Sequence, residues 1–217
     1  MTDPIHVQPR VRTTYRHGDL RRALLEAGIE LAREGGPEAV VLREATRRAG
    51  VVPNAAYRHF ESRLALLQAV RAAALSAVAA AMEAELSALD PTLSPADRAR
   101  ASVRAVGTGY LRYARANTGL FRTAFAVPAD ADANALPEGA AAGPGGLDPF
   151  QLLGSALDRL MAAGLLPAER RPGAEYLAWS AVHGLALLAI EGPLRELPDA
   201  PLEALGQRLL DMVEKGL

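Results

Sequence analysis

The chain has 217 residues, half of them hydrophobic and 23% charged, and a formal charge of only −1. That composition fits one folded domain or two small ones with a real core, and it excludes a disordered tail and a uniformly basic nucleic-acid coat. The absence of cysteine excludes a disulfide framework, a thiolate zinc site and a cysteine nucleophile, and the four histidines (6, 17, 59 and 183) are too scattered to suggest a metal cluster.

The N-terminal residues MTDPIHVQPRVR have no apolar core of a secretory signal. The longest apolar run, 72–82, is too short to cross a bilayer. A cytoplasmic protein with no membrane partner is therefore expected. Residues 1–17 carry Arg10, Arg12 and Arg16 without apolar periodicity and read as a flexible arm. Such an arm is either a solvated tail or a minor-groove reader. From there apolar residues recur at spacings of 3 or 4, β-branched residues are few, and almost everything reads as helix. A first helix is predicted over 18–34, with Leu20, Leu24, Ala27 and Leu31 on one face, stopped by Gly35-Gly36-Pro37. Short helices follow over 42–48 and 53–59, separated by Gly50-Val51-Val52. A long one runs over 62–89, opened by Ser62 and striped by Leu64, Leu67, Val70, Ala74, Val78, Met82 and Leu86. Ser94-Pro95-Ala96-Asp97 caps a helix reaching 116, and a short piece covers GLFRTAFA. The stretch 128–148 is rich in Ala, Gly and Pro and reads as a mobile loop. Helices resume over 149–163, 173–192 and 201–215. The fold class expected is all-α, with about nine helices.

Charge is unevenly spread. Residues 1–72 hold 12 Arg against 8 acids, a net of +4, and the remainder has a net of −5. A basic half hints at a nucleic-acid partner. The segment 42–60, LREATRRAGVVPNAAYRHF, supplies the geometry: two short helices about a glycine turn, in which the second can enter a major groove. Arg43, Arg47, Arg48, Arg58 and Arg63 are candidate phosphate donors, Tyr57 and His59 add neutral donors, and Asn54 could pair with adenine. Helix pairs of this kind also occur in helical proteins that never meet DNA.

The residues themselves narrow this. The segment 18–78, and above all AGV, then YRHF, then S-R-x-x-LL, closely resembles the DNA-binding domain of TetR/AcrR-family regulators. The resemblance implies that Tyr57 and His59 meet backbone phosphates. It puts Arg63 where the family usually has a phosphate-binding Lys, and Arg43 at a position that reaches a base or the backbone. It assigns Asn54, Ala55 and Ala56, with Arg58 beside them, to the recognition helix. Val41 and Val52 stand where the family usually has hydroxyl N-caps, a loss of roughly 0.5–2 kcal/mol each. Thr46 replaces a small apolar residue.

Further on, LAWSAVHGLALL (177–188) resembles the W-x3-HG signature of the WHG-type C-terminal domain in one branch of that family. This implies a ligand-binding and dimerisation domain over 79–217, behind a reading head over 18–78. The last two helices carry long apolar faces that favour a four-helix homodimer interface, with Ala181, Gly184, Leu188, Leu205, Leu209 and Met212 as candidates. Candidate pocket residues are Tyr110, Tyr113, Phe121, Phe125, Trp179 and His183, which suit an unknown, largely apolar effector. The same residues could be plain core, and His183, in a nearly all-apolar run, needs a buried hydrogen-bond partner in either case. Gly107 and Gly109 could make room for a cavity. No cofactor fingerprint or metal-ligand set is present. The function expected is a dimeric repressor that binds operator DNA and is released by a small effector. Alternatives are an architectural DNA binder without effector and a helical-bundle enzyme or carrier. For the enzyme, Ser180 and His183 on one buried helix make a poor nucleophile pair.

Overall fold

The computed structural model describes residues 17–126 and 136–217, which form nine α-helices and no strand. The arm over 1–16 and the loop residues 127–135 lie outside the described residues.

Three helices build the N-terminal head: α1 (His17–Gly35), α2 (Leu42–Arg48) and α3 (Pro53–Ala56). A 3-10 turn over Pro37–Ala39 joins the first two. Gly50 sits at φ +68 in the turn after α2, the left-handed conformation that ends a helix at little cost only for glycine. Leu24, Val40, Leu42, Ala45 and Phe60 close the head's core.

The long helix α4 (Arg63–Ser87) begins where expected, since the Ser62 hydroxyl accepts from the Ala65 amide. By length and a mean hydropathy of 1.7 it could cross a bilayer, a property hidden in the sequence because alanine carries much of it. Here its apolar face divides between two cores. Leu66, Leu67, Val70 and Ala74 belong to the head, whereas Val78, Ala79 and Met82 belong to the body.

The body contains α5 (Pro95–Ala116), α6 (Thr118–Ala124), α7 (Pro149–Ala162), α8 (Ala174–Ile190) and α9 (Asp199–Gly216). Ser94 caps α5 by accepting from the Asp97 amide, with Pro95 in the first turn. Asp148 and Gln151 cap α7 reciprocally, each side chain accepting from the other's amide. The segment 136–148 is the described part of the loop expected over 128–148. It runs as successive turns across α4, and the Glu83 carboxylate accepts from the Gly145 amide at 3.0 and 3.1 Å.

The two glycines of α5 have separate jobs. A Cβ at Gly109 would lie 2.6 Å from the Ala81 carbonyl oxygen and 2.7 Å from the Met82 Cα, so this glycine brings α5 onto the backbone of α4. Gly107 instead lies beside Leu210 of α9 and lines a cavity.

Helix α6 also belongs to both cores. Leu120 and Ala124 pack in the head and Phe121 in the body. A Cβ at Gly119 would lie 2.3 Å from the Ala32 carbonyl oxygen of α1, so the two helices touch backbone to backbone.

Candidate DNA-reading face and ligand cavity

The two helix starts in the head are as bare as the valines predict. Val41 and Val52 occupy the N-cap positions in extended conformation, and neither helix has a side-chain cap. Thr46 is buried and its hydroxyl donates to the Arg43 carbonyl at 2.6 Å, which satisfies the polar group in place.

The helix α3 is shorter than the predicted 53–59. It makes one turn and then tightens, with the amides of His59 and Phe60 both donating to the Ala56 carbonyl at 2.9 Å. That tightening delivers Phe60 into the head's core. It also fixes which side chains face outward. Asn54, Tyr57 and Arg58 are exposed, Tyr57 at 56%, whereas Ala55 and His59 are half-buried. Ala56 is fully buried against the head's core, so it cannot contact DNA through its side chain, contrary to its assignment from the sequence.

The cations differ more than their shared chemistry suggests. Arg43 and Arg58 are exposed. Arg63 is also exposed, but its guanidinium is tied to the backbone, donating from Nε to the Val40 carbonyl and from Nη2 to the Pro37 carbonyl, both at 2.8 Å. It therefore ties the start of α4 to the chain entering α2, and phosphate binding is at most a second use of its remaining donors. Glu44 takes both Nε and Nη2 of Arg47, at 2.8 and 2.5 Å, and Nε of Arg48 at 3.4 Å. Glu34 takes the other edge of Arg48 at 2.9 and 2.6 Å. The hydrogen bond from Arg47, helped by Arg48, holds the Glu44 carboxyl down at about 2, so this clamp is fully charged near neutrality. Two of the expected phosphate donors are thus already neutralised within the head.

In the body a cavity of about 630 Å³ lies between α4, α5, α7, α8 and α9, closed on one side by 136–151. Of the six candidate pocket residues, Tyr110, Phe125 and Trp179 line it. Phe121 stands behind them, fully buried, with its ring 5.2 Å from that of Tyr110. His183 also stands behind the wall and holds it in place. The Trp179 indole N–H donates to the Tyr110 hydroxyl at 3.2 Å, which in turn meets His183 Nδ1 at 2.7 Å. Burial pushes the Tyr110 hydroxyl up and the His183 imidazole down, which favours the neutral form of both in this relay. Tyr113 lies where the two cores meet, its hydroxyl buried without a partner and raised by that burial. Phe121, Tyr113 and His183 are therefore core and support residues, not cavity lining.

The sequence reasoning missed Phe150, Met82 and Arg71, which all line the cavity. Arg71 had a readable signal, being the one charged residue in the apolar run 64–82. Its guanidinium is buried in the wall and engaged within the chain.

On the far side of the body α8 and α9 present apolar side chains outward. Leu177, Leu188 and Met212 are 67%, 45% and 60% exposed. A Cβ at Gly184 would meet no atom within 4 Å. Ala181, Leu205 and Leu209 are half-buried, and Ala181 and Leu209 already pack on the body core. Leu177, Gly184 and Leu188 fall on one face of α8, which carries an outward apolar stripe.

Residues 24–70 match the profile of bacterial regulatory proteins of the tetR family, and residues 103–213 that of the tetracyclin repressor-like C-terminal domain. No curated protein matches the chain. Among solved structures, a protein of unknown function from Rhodococcus sp. RHA1 is 25% identical, with 95% of this chain and 99% of that one covered and a TM-score of 0.71. The transcriptional regulator FadR from Bacillus subtilis, in complex with stearoyl-CoA, is 14% identical over 90% of this chain and 98% of its own, with a TM-score of 0.68. TetR-Q116A from Acinetobacter baumannii AYE, in complex with minocycline, is 21% identical over 89% and 93%, with a TM-score of 0.53. The last two likenesses concern the fold alone.

Proposed function

The chain belongs to the tetR family of DNA-binding transcriptional regulators, and on that premise we propose that it is a homodimeric repressor released from its operator by a small, largely apolar effector. Residues 18–78 act as the reading head and 79–217 as the ligand-binding and dimerisation domain. Asn54 and Ala55 read base edges, while Arg43, Tyr57, Arg58 and His59 position the head on phosphates. The stripes of α8 and α9 join two chains in a four-helix interface, which sets two heads one helical turn apart on the duplex, about 34–36 Å.

The observation that carries the effector reading is that the cavity wall and the head's core share side chains. Ala124 of α6 is buried in the head cluster and lines the cavity, and Leu75 of α4 packs on that same cluster and lines it too. A ligand that reshapes the cavity therefore presses on the packing that orients α3. It represses or releases only through its differential affinity for the two arrangements. Solved structures of this fold include a complex with stearoyl-CoA and one with minocycline, ligands of very different shapes.

Fluorescence anisotropy with duplexes from the region upstream of the gene tests the DNA reading, and a thermal-shift screen of small apolar compounds tests the effector reading. Binding no tighter than to a random duplex at moderate salt would sink the first. Replacing Tyr57 by Ala should weaken all duplexes alike, whereas Asn54→Ala should change sequence preference. A change of preference in the Tyr57 variant would reverse these roles.

A further inference from the structure

The chain uses aromatic residues sparingly: four Phe, five Tyr and one Trp in 217 residues. Both cores are built mainly from Leu, Val and Ala, so aromatic rings are not needed to fill them. Yet six of these rings form one connected group in the body. From the surface inward, Tyr176 lies 5.2 Å from Phe150, Phe150 lies 6.1 Å from Trp179, Trp179 lies 6.0 Å from Phe125, and Phe125 lies 5.8 Å from Tyr110. Phe121 backs the inner end. Four of the six, Phe150, Trp179, Phe125 and Tyr110, line the cavity, so one wall is π surface from mouth to floor.

The polar groups of that wall are already matched. Trp179 donates to Tyr110 and Tyr110 meets His183, so the indole N–H and the phenol that line the cavity already have partners within the chain. The charged lining residues are few, and each is placed by the fold. Arg71 is engaged within the chain, the Asp148 carboxylate caps α7, and Glu138 is an exposed carboxylate at the mouth. The volume of about 630 Å³ falls within the span of roughly 300–1,000 Å³ for drug-sized ligands.

Accepting the cavity as the effector site, we infer that it selects a planar ligand of a few fused aromatic rings, held by ring-to-ring contact along Phe150, Trp179, Phe125 and Tyr110, over an acyl chain. Offset and edge-to-face contacts reward a π-faced ligand beyond the area it buries, which a saturated ligand of the same skeleton cannot match.

Isothermal titration calorimetry of the full chain with 2-naphthol, decahydro-2-naphthol and dodecanoate tests this. The first two share a two-ring carbon skeleton and a hydroxyl, and the saturated one is bulkier and more apolar, so a merely apolar cavity would favour it. The expected result is 2-naphthol binding about tenfold tighter than its saturated counterpart, the equivalent of one or two ring contacts. Phe150 is partly exposed at the mouth, so Phe150→Leu should fold normally while narrowing that preference to about threefold. Equal or tighter binding of decahydro-2-naphthol or dodecanoate would overturn the aromatic assignment and leave an effector site of another chemistry. An undiminished preference in the Phe150 variant would also overturn it. Absence of heat with all three overturns it as well, and the effector reading then stands or falls separately on the wider thermal-shift screen.

Discussion

Glu44 governs how much of the head's positive charge is available to a polyanion. It holds Arg47 through two hydrogen bonds and shares Arg48 with Glu34. Glu44→Gln should free Arg47 while Arg48 keeps Glu34, adding about one phosphate contact to non-specific binding. The slope of log K against log salt should then steepen by about 0.9, read by anisotropy on a random duplex. An unchanged slope would place Arg47 out of reach of the backbone. A second residue-scale expectation concerns His183. Burial holds its imidazole below the ordinary 6.5, so the unfolded chain binds more protons in that region than the folded one. Stability should therefore fall as pH drops through 6.5 and stop falling on this account once pH passes below the folded value. His183→Gln should flatten that decline in thermal melts between neutral and mildly acidic pH. At this scale the sequence identified the head's chemical inventory but not its use. Arg63 and Arg48 look equivalent as residues, yet the acceptors that hold them are 26 and 14 residues away in the chain. On a helix of a single turn, nothing in the spacing distinguishes outward Asn54 from inward Ala56.

Helices were legible where side chains themselves set the ends, as at Ser62, Ser94 and Asp148, whose capping bonds are local. The course of 136–148 was not, because its anchor is a carboxylate on α4, 62 residues earlier. The cavity was half legible for a similar reason. Aromatic residues on helices announced Tyr110, Phe125 and Trp179, but which face of α5 or α6 turned to the space depended on where α4 lay. Two glycines test that packing. In α5, Gly109→Ala gains roughly 1 kcal/mol of helix propensity but forces a methyl against backbone atoms of α4, and overpacking costs about 1–3 kcal/mol. A net loss of about 1 kcal/mol in urea denaturation is expected. In α8, Gly184→Ala meets open space within one chain, so the isolated subunit should gain about 0.5–1 kcal/mol. If Gly184 lies at the contact between two subunits, the same methyl should instead weaken the dimer, visible as a raised dissociation constant in sedimentation.

For the whole molecule, the outward stripe of α8 is the feature that a single chain does not explain. Leu177, Leu187 and Leu188 are all substantially exposed on one helix. Leu188→Glu should yield a folded monomer by analytical ultracentrifugation and weaken operator binding severely, because one head alone retains only half of the contacts. A dimer that persists in this variant would move the interface elsewhere.

One further consequence follows from α4, whose upper turns serve the head and lower turns the body. Neither core can be exposed without stripping a face from the same helix, and α6 repeats the arrangement. Calorimetric melting should accordingly show one transition, with van't Hoff and calorimetric enthalpies in agreement per cooperative unit. The amides of α1 should exchange with deuterium at rates set by global unfolding, and a compound filling the distant cavity should slow them. Such slowing in the head, far from any ligand atom, would report the protein's mechanical unity without any DNA present.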